Sequence, residues 1–413
     1  MRKHILRAII ATFFIALNAY TNTNYEHPID ASAIKADSVL WDLKKLSEAP
    51  TYTWLNIKNP VHSLAFNGLI YKGKPTRVFA YYCNPALIRG INNKNQKYPG
   101  IILVHGGGGK AFKEWVEKWA ADGYAALAVD LSASGGNDDT FEGNGPNQDK
   151  KEKFEDIALG DLKNMWSYHA VADVILAHSL LMSFSEVNPD KTVITGISWG
   201  GYLTCLAASL DNRFKAAAPV YGCGFYSDCV FRSDLAKMIS NDSLKWLKFF
   251  DPSSYLGYAK PPFLFINGNK DAWFYVKAYH KTYSLIKPGQ RTLTIFPDMK
   301  HSHSDGWAPD EIKCFFESEL NKAYPLIKVG SVSIQDSILS VPFESNISVS
   351  SASFYYSNEL NATNTKREWK EVKATVNNKS KTVFCKRTEF GIGFFTLKDV
   401  RNLSVSSEFV FNQ

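Results

Sequence analysis

Several features are scarce in this 413-residue chain, and each scarcity excludes something. It has only six cysteines and no CxxC pair. A disulfide scaffold is therefore excluded, and a zinc or dithiol site lacks its usual spacing. No stretch approaches the ~18 uninterrupted apolar residues that a membrane-spanning helix requires. Repeats and low-complexity tracts are absent, so solenoids and fibrous architectures fall away. The formal charge is only +7, with Lys and Arg interleaved with acids throughout. A nucleic-acid-binding surface would concentrate that charge, so no nucleic-acid partner is expected. An apolar content of 45% and an aromatic content of 14% describe a globular protein.

The first residues read "MRKHILRAIIATFFIALNAYTNTNYEH". Arg2, Lys3 and Arg7 precede an apolar run from Ala8 to Leu17, with small residues near Ala19. That layout predicts a secretory signal peptide over 1–19, and the run is too short to cross a bilayer. The first cysteine is Cys83, so a lipid anchor near the cleavage point is not supported. The mature chain is expected to be secreted or periplasmic, without a membrane span. Cys223 and Cys229, in "YGCGFYSDC", are near enough in sequence either to bridge or to remain two buried thiols.

Residues 20–60 read as an N-terminal extension. From 61 to 324, short apolar runs alternate with helical stretches. "VFAYYC", "GIILVHG", "YAALAVDL", "TVITG", "AAAPVYG", "PFLFING" and "RTLTIFP" are expected strands. The middle ones are apolar throughout, as in strands covered on both faces. "FKEWVEKWAADG", "YHAVADVILAHSLLMSF", "GYLTCLAASL", "WFYVKAYHKTYSLI" and "PDEIKCFFESELNKAY" are expected helices. This alternation predicts an α/β fold with a mostly parallel central sheet and helices on both faces. Segment 132–160, rich in Gly, Asn, Asp and Lys, reads as a surface loop near the site. After Pro325 the segments become short and alternating, which predicts a small all-β sandwich, Ig-like in outline, over 325–413.

A serine hydroxyl attacks only when a base takes its proton and a third group orients that base. Gly196-Ile197-Ser198-Trp199-Gly200 matches G-x-S-x-G, between an expected strand and an expected helix. Asp271 lies in the loop after the strand "FLFING", where a carboxylate can accept a hydrogen bond from imidazole; an ordinary turn or helix-capping aspartate has the same setting. "KHSHSDGW" supplies His301 and His303, which with Asp305 would also satisfy the donor types of a metal site, although no metal or cofactor is expected. "HGGGG" at 105–109 follows a strand, so Gly107 and Gly108, with Trp199 after the serine, are candidate donors for an oxyanion hole. Lys110 after those glycines invites a phosphate-loop reading, but Val104 and Ala111 occupy positions where that motif needs Gly and Ser/Thr.

The order Ser198, Asp271, His301 resembles that of the α/β-hydrolases. Together with "ILVHGGGGKAFKEWVEKWAADGYAALAVDL", "TGISWGGYLTCLAASLDNRFKAAAPVYGCGF" and "MKHSHSDGWAPDEI", it resembles the dienelactone hydrolase, acetyl xylan esterase and prolyl oligopeptidase-like group. The resemblance implies that His301, rather than His303, is the base. It also implies a secreted serine esterase acting on acylated carbohydrate or another small ester. Trp166, Tyr168, Trp273 and His303 are then candidate substrate-binding residues, with Tyr202 and Trp307 as further aromatics of the same region. A prolyl oligopeptidase-like peptidase is the alternative, although such enzymes often carry a large propeller ahead of the catalytic fold, and residues 20–60 are too few to form one. A glycan-binding surface protein with a vestigial hydrolase domain is a third reading, and an intact triad speaks against it.

Overall fold

The computed structural model describes residues 29, 39–91, 95–133, 135, 141 and 143–412. The expected signal peptide at 1–19 lies outside them.

The central sheet follows from strands too apolar to face water on either side. Its strands are β1 (Tyr52–Asn56), β2 (His62–Asn67), β3 (Arg77–Cys83), β4 (Tyr98–Val104), β5 (Ala125–Val129), β6 (Val187–Ile197), β7 (Ala216–Val220), β8 (Phe263–Gly268) and β9 (Arg291–Phe296). Pairing gives the order β1-β2-β3-β5-β4-β6-β7-β8-β9. The pairings β1–β2, β2–β3 and β3–β5 are antiparallel, and all from β5–β4 to β8–β9 are parallel. Every residue of β5 and β7 is buried, as expected for strands covered on both faces.

The helix Trp166–Ser183 is buried almost all round, because it is covered twice. It packs on β4, β5 and β6, and the N-terminal extension closes its outer side. Trp41 Nε1 donates to Tyr168 O at 2.8 Å and Ser179 Oγ donates to Leu46 O at 2.7 Å. Residues 39–60 of the N-terminal extension thus supply a strand, β1, and part of the core. The helix Ser240–Phe250 is a further element that periodicity did not reveal.

The C-terminal strands are β10 (Lys328–Val329), β11 (Ser333–Gln335), β12 (Ile338–Glu344), β13 (Val349–Ser357), β14 (Lys370–Asn377), β15 (Thr382–Lys386), β16 (Ile392–Asp399), β17 (Ser404–Ser406) and β18 (Val410–Phe411). Their pairings with one another are antiparallel. This β-rich region continues the central sheet: β17 pairs with β9 through Ser406 and Leu293. Ser406 Oγ accepts from Ile295 N at 3.0 Å, Thr294 Oγ1 donates to Ser404 O at 3.0 Å, and Ser404 N donates to Glu311 Oε1 at 2.7 Å.

One buried polar knot ties the N-terminal segment, the helix Trp166–Ser183 and the turn after the helix Trp199–Leu210. Asp211 accepts from His178 Nδ1 at 2.8 Å and from Arg213 Nε and Nη2 at 2.7 and 2.6 Å. Arg213 also reaches Ser47 O and Ser179 Oγ. Removing the carboxylate leaves a buried guanidinium without its counter-charge. Asp211→Ala is expected to cost about 3–5 kcal/mol in urea unfolding; a loss under about 1 kcal/mol would show that the knot is not a stabilising centre.

Candidate active site

The peptide turns sharply where β6 meets the helix Trp199–Leu210. Ser198 sits at that junction with φ 59° and ψ −116°, a conformation that costs a non-glycine residue about 1–3 kcal/mol unless its surroundings enforce it. The flanking glycines allow the crowding. A Cβ on Gly196 would lie 2.2 Å from Gly200 O, and one on Gly200 would lie 2.0 Å from Val104 O. Hydrogen bonds hold the turn from both sides: Ser198 N donates to Val220 O at 2.8 Å, and Tyr202 N donates to Ser198 O at 2.9 Å.

The hydroxyl so presented meets an imidazole. His301 Nε2 lies 2.9 Å from Ser198 Oγ, and His301 Nδ1 lies 2.6 Å from Asp271 Oδ2. A carboxylate only accepts, so Nδ1 carries the ring proton and Nε2 is left to accept the serine proton. Asp271 is buried, and its Oδ1 accepts from Trp273 N at 2.8 Å and Phe274 N at 2.7 Å. The aspartate therefore caps its own loop and orients the imidazole with separate oxygens. Tyr221, itself at φ 63°, places its ring 4.4 Å from that of His301 and donates to Lys300 O at 2.5 Å.

The glycine loop after β4 lies beside the serine. Two histidines shape it. His105 Nε2 accepts from Leu131 N at 2.9 Å, so its Nδ1–H donates to Gly106 O at 2.8 Å. His303 Nε2 accepts from Gly106 N at 2.9 Å. Burial, with His105 and His301 nearby, pushes His303 down to about 4, which keeps it neutral and able to accept near pH 7. His301 and His303 thus point at different groups, and His303 braces the glycine loop. Gly108 N donates to Gln148 Oε1 at 3.2 Å, which withdraws it from the expected pair of oxyanion donors. Among the described residues the N–H groups of Gly107 and Trp199 take no protein acceptor, and a Cβ on Gly107 would fall 2.8 Å from Trp199 Cδ1.

A model of the dienelactone hydrolase family matches residues 88–311, just over half of the chain. The chain belongs to the dienelactone hydrolase family. Its fold is similar to that of an acetyl xylan esterase from Paenibacillus sp. R4, with TM-score 0.55 and 19% identity, covering 72% of this chain and 98% of that one. It is also similar to acetyl xylan esterase 1 from Thermoanaerobacterium sp. JW/SL YS485, with TM-score 0.51 and 20% identity, covering 67% and 89%. The uncharacterized peptidase YuxL of Bacillus subtilis (strain 168) is 24% identical over 222 residues, 50% of this chain and 31% of that protein. The chain thus spans about a third of the length of that curated relative.

This dienelactone hydrolase family member builds its site wall differently from the sequence expectation. Trp166 is 1% exposed and donates its Nε1–H to Leu131 O at 2.8 Å. Tyr168 is buried with its ring stacked on Trp41 at 5.8 Å. Neither lines a sugar-binding cleft, because the helix carrying them is covered on both sides. Tyr202 is also buried. Trp273 is 47% exposed, with its ring 6.3 Å from that of His301, so it is the candidate aromatic that meets solvent beside that imidazole.

The expected surface loop 132–160 is partly core. Phe154 packs on Trp199, Phe231 and Trp246. Lys153 is buried and holds its Nζ 4.3 Å from the Trp199 ring centroid and 4.9 Å from that of Trp166. Burial, opposed in part by Asp149, draws its ammonium down to about 7. Polar composition hid both Gln148 and Lys153, since neither belongs to a motif. Cys223 and Cys229 are free thiols with Sγ atoms 3.7 Å apart.

The C-terminal region reaches the acid loop at both of its ends. Trp369 Nε1 donates to Asn269 O at 3.1 Å, and Asn364 Oδ1 accepts from Val276 N at 3.2 Å. Asn364→Leu keeps the branched outline and removes that acceptor, leaving a buried N–H unpaired at about 1–3 kcal/mol. A fall in kcat of about ten-fold or more, with KM nearly constant, is expected for a small ester; unchanged kcat would detach this contact from the site. The unfolded chain holds the Lys153 proton up to its ordinary pKa of 10.5 while the folded chain loses it near 7. Stability from this group therefore rises between those values, and burying the charge is costliest below them. Lys153→Met is accordingly expected to raise Tm at pH 6, with the gain shrinking toward pH 10; a pH-independent difference would contradict that account.

Proposed function

We propose that this chain is a serine carboxylic-ester hydrolase that removes acetyl or similarly small acyl groups from carbohydrate through an acyl-enzyme on Ser198. The observation that carries the reading is the hydrogen-bonded series Ser198–His301–Asp271, with the serine held at positive φ. Ser198 Oγ attacks the ester carbonyl as His301 Nε2 takes its proton. Asp271 stabilises the imidazolium that forms. The N–H groups of Trp199 and Gly107 receive the oxyanion, aided by the positive end of the helix that starts at Trp199. The intermediate collapses as His301 returns the proton to the departing alcohol. Water then repeats the sequence on the acyl-enzyme and frees the acid. The names of the two similar esterase structures favour an acetylated polysaccharide as substrate, and half-exposed Trp273 offers a ring face to a sugar. We read the chain as exported, from its N-terminal layout.

A peptidase reading is favoured by the relative named as a peptidase and uses the same residues on an amide. The purified protein is expected to release p-nitrophenol from p-nitrophenyl acetate, with Ser198→Ala losing at least about a thousand-fold in kcat. Equal rates for the two proteins would sink the assignment of Ser198. Acetate release from acetylated xylan, compared with amine release from aminoacyl anilides, separates the two substrates; faster anilide cleavage would favour the peptidase.

A further inference from the structure

A cavity lined by none of Ser198, Asp271 and His301 lies between the hydrolase core and the C-terminal region. Its volume is about 870 Å³, within the range of small-molecule sites, which favour such junctions. One wall comes from the turn 228–236 and the start of the helix Val276–Leu285; the other comes from 361–367 and Phe411. Both walls are fixed. Arg367 donates to Glu359 O, Leu360 O and Ala362 O, and Val230 N donates to Trp273 O at 3.2 Å. The cavity is therefore a shaped junction and not a gap between loosely apposed parts.

Its charge is one-sided. Arg232, Lys277, Lys281 and Arg367 line it, against the single carboxylate of Asp228. Asp228 is already engaged by Lys281 at 2.6 Å, and among the described residues the Lys277 ammonium donates to the neutral amide oxygen of Asn361 at 2.8 Å and to no carboxylate. Arg232 is exposed, and its guanidinium takes no protein acceptor among the described residues. Beside these cations stand Asn361, Thr363 and the half-buried Tyr275, which add neutral hydrogen-bonding groups and a ring.

We infer that this junction is a second binding site, separate from the serine, for a short carboxylate-bearing oligosaccharide of the uronic-acid type. Arg232 and Lys277 pair with the carboxylates, and Asn361, Thr363 and Tyr275 meet hydroxyls and a sugar face. The choice of sugar over other carboxylates rests on the carbohydrate reading above, whereas the anionic preference rests on the lining alone. Tyr275 ends the loop that carries Asp271 and Val276 begins the helix after it, so one wall of the cavity continues the segment that holds the acid.

Calorimetric titration of the full chain tests this without using turnover, so it stays readable even if the ester reading fails. Trigalacturonate, neutral xylotriose and triglutamate are the three probes. Trigalacturonate is expected to bind, and to bind at least about ten-fold more weakly to the double variant Arg232→Ala/Lys277→Ala. The same variant should keep the Tm and any p-nitrophenyl acetate activity of the parent. Ala362→Trp, which fills the cavity without changing charge, should also abolish binding. No heat with trigalacturonate from the parent, or an affinity in either variant equal to the parent's, overturns the site. Xylotriose binding as tightly overturns the anionic preference, and triglutamate binding more tightly overturns the sugar.

Discussion

The structure depends on one strained peptide turn. Ser198 has to leave β6 at positive φ so that its hydroxyl clears the sheet and the following N–H groups face the same space. Such a turn persists only where the neighbours leave the chain no alternative. Here β4 and β7 press on it from both sides, through Val104 O and Val220 O. Those contacts place the helix Trp199–Leu210 so close to the sheet that residues 196 and 200 have no room for a side chain. The parallel sheet, its buried alanine-rich strands and the tight helix are thus conditions for one hydroxyl to stand where it does.

Around that turn the protein uses neutral histidines as rigid connectors. His105 and His303 are not placed to exchange protons with a substrate; each bonds backbone of the glycine loop. A neutral imidazole offers one donor and one acceptor in fixed directions, which suits a loop whose glycines impose little conformation of their own. Burial keeps His303 neutral, and that neutrality is what allows Gly106 N–H to donate to it. The neighbouring His301, bonded to a carboxylate on one side and a hydroxyl on the other, is the histidine arranged for proton transfer. Two residues apart in sequence, these side chains have different work because different partners meet them.

The C-terminal strands are joined to the hydrolase core in two ways. Strand β17 extends the sheet from β9, and side chains of 364–369 bond both ends of the loop that carries Asp271. An aspartate that must hold an imidazole at hydrogen-bond distance gains from a loop fixed at each end, since small misplacements at a reacting group are costly in rate. The same junction encloses the cationic cavity, so the region that braces the acid also forms a surface of its own.

The sequence by itself determined the chemistry-bearing order. G-x-S-x-G between an apolar strand and an alanine-rich helix, an aspartate after "FLFING" and a histidine before the last hydrolase helix are local signals, because each reflects a backbone requirement within a few residues. Most of the sheet was legible for the same reason, since its strands are short apolar runs. What depended on distant packing was not legible. Tyr168 looks like a free aromatic until Trp41 stacks on it, and Trp166 until Leu131, Lys153 and Trp199 enclose it. Gln148 and Lys153 look like solvated loop residues until Phe154 anchors that segment among Trp199, Phe231 and Trp246. Gly108 is no different from Gly107 until Gln148 reaches its N–H. The role of a residue follows from sequence where local backbone geometry dictates it, and from tertiary structure where burial and a partner far along the chain decide what it touches.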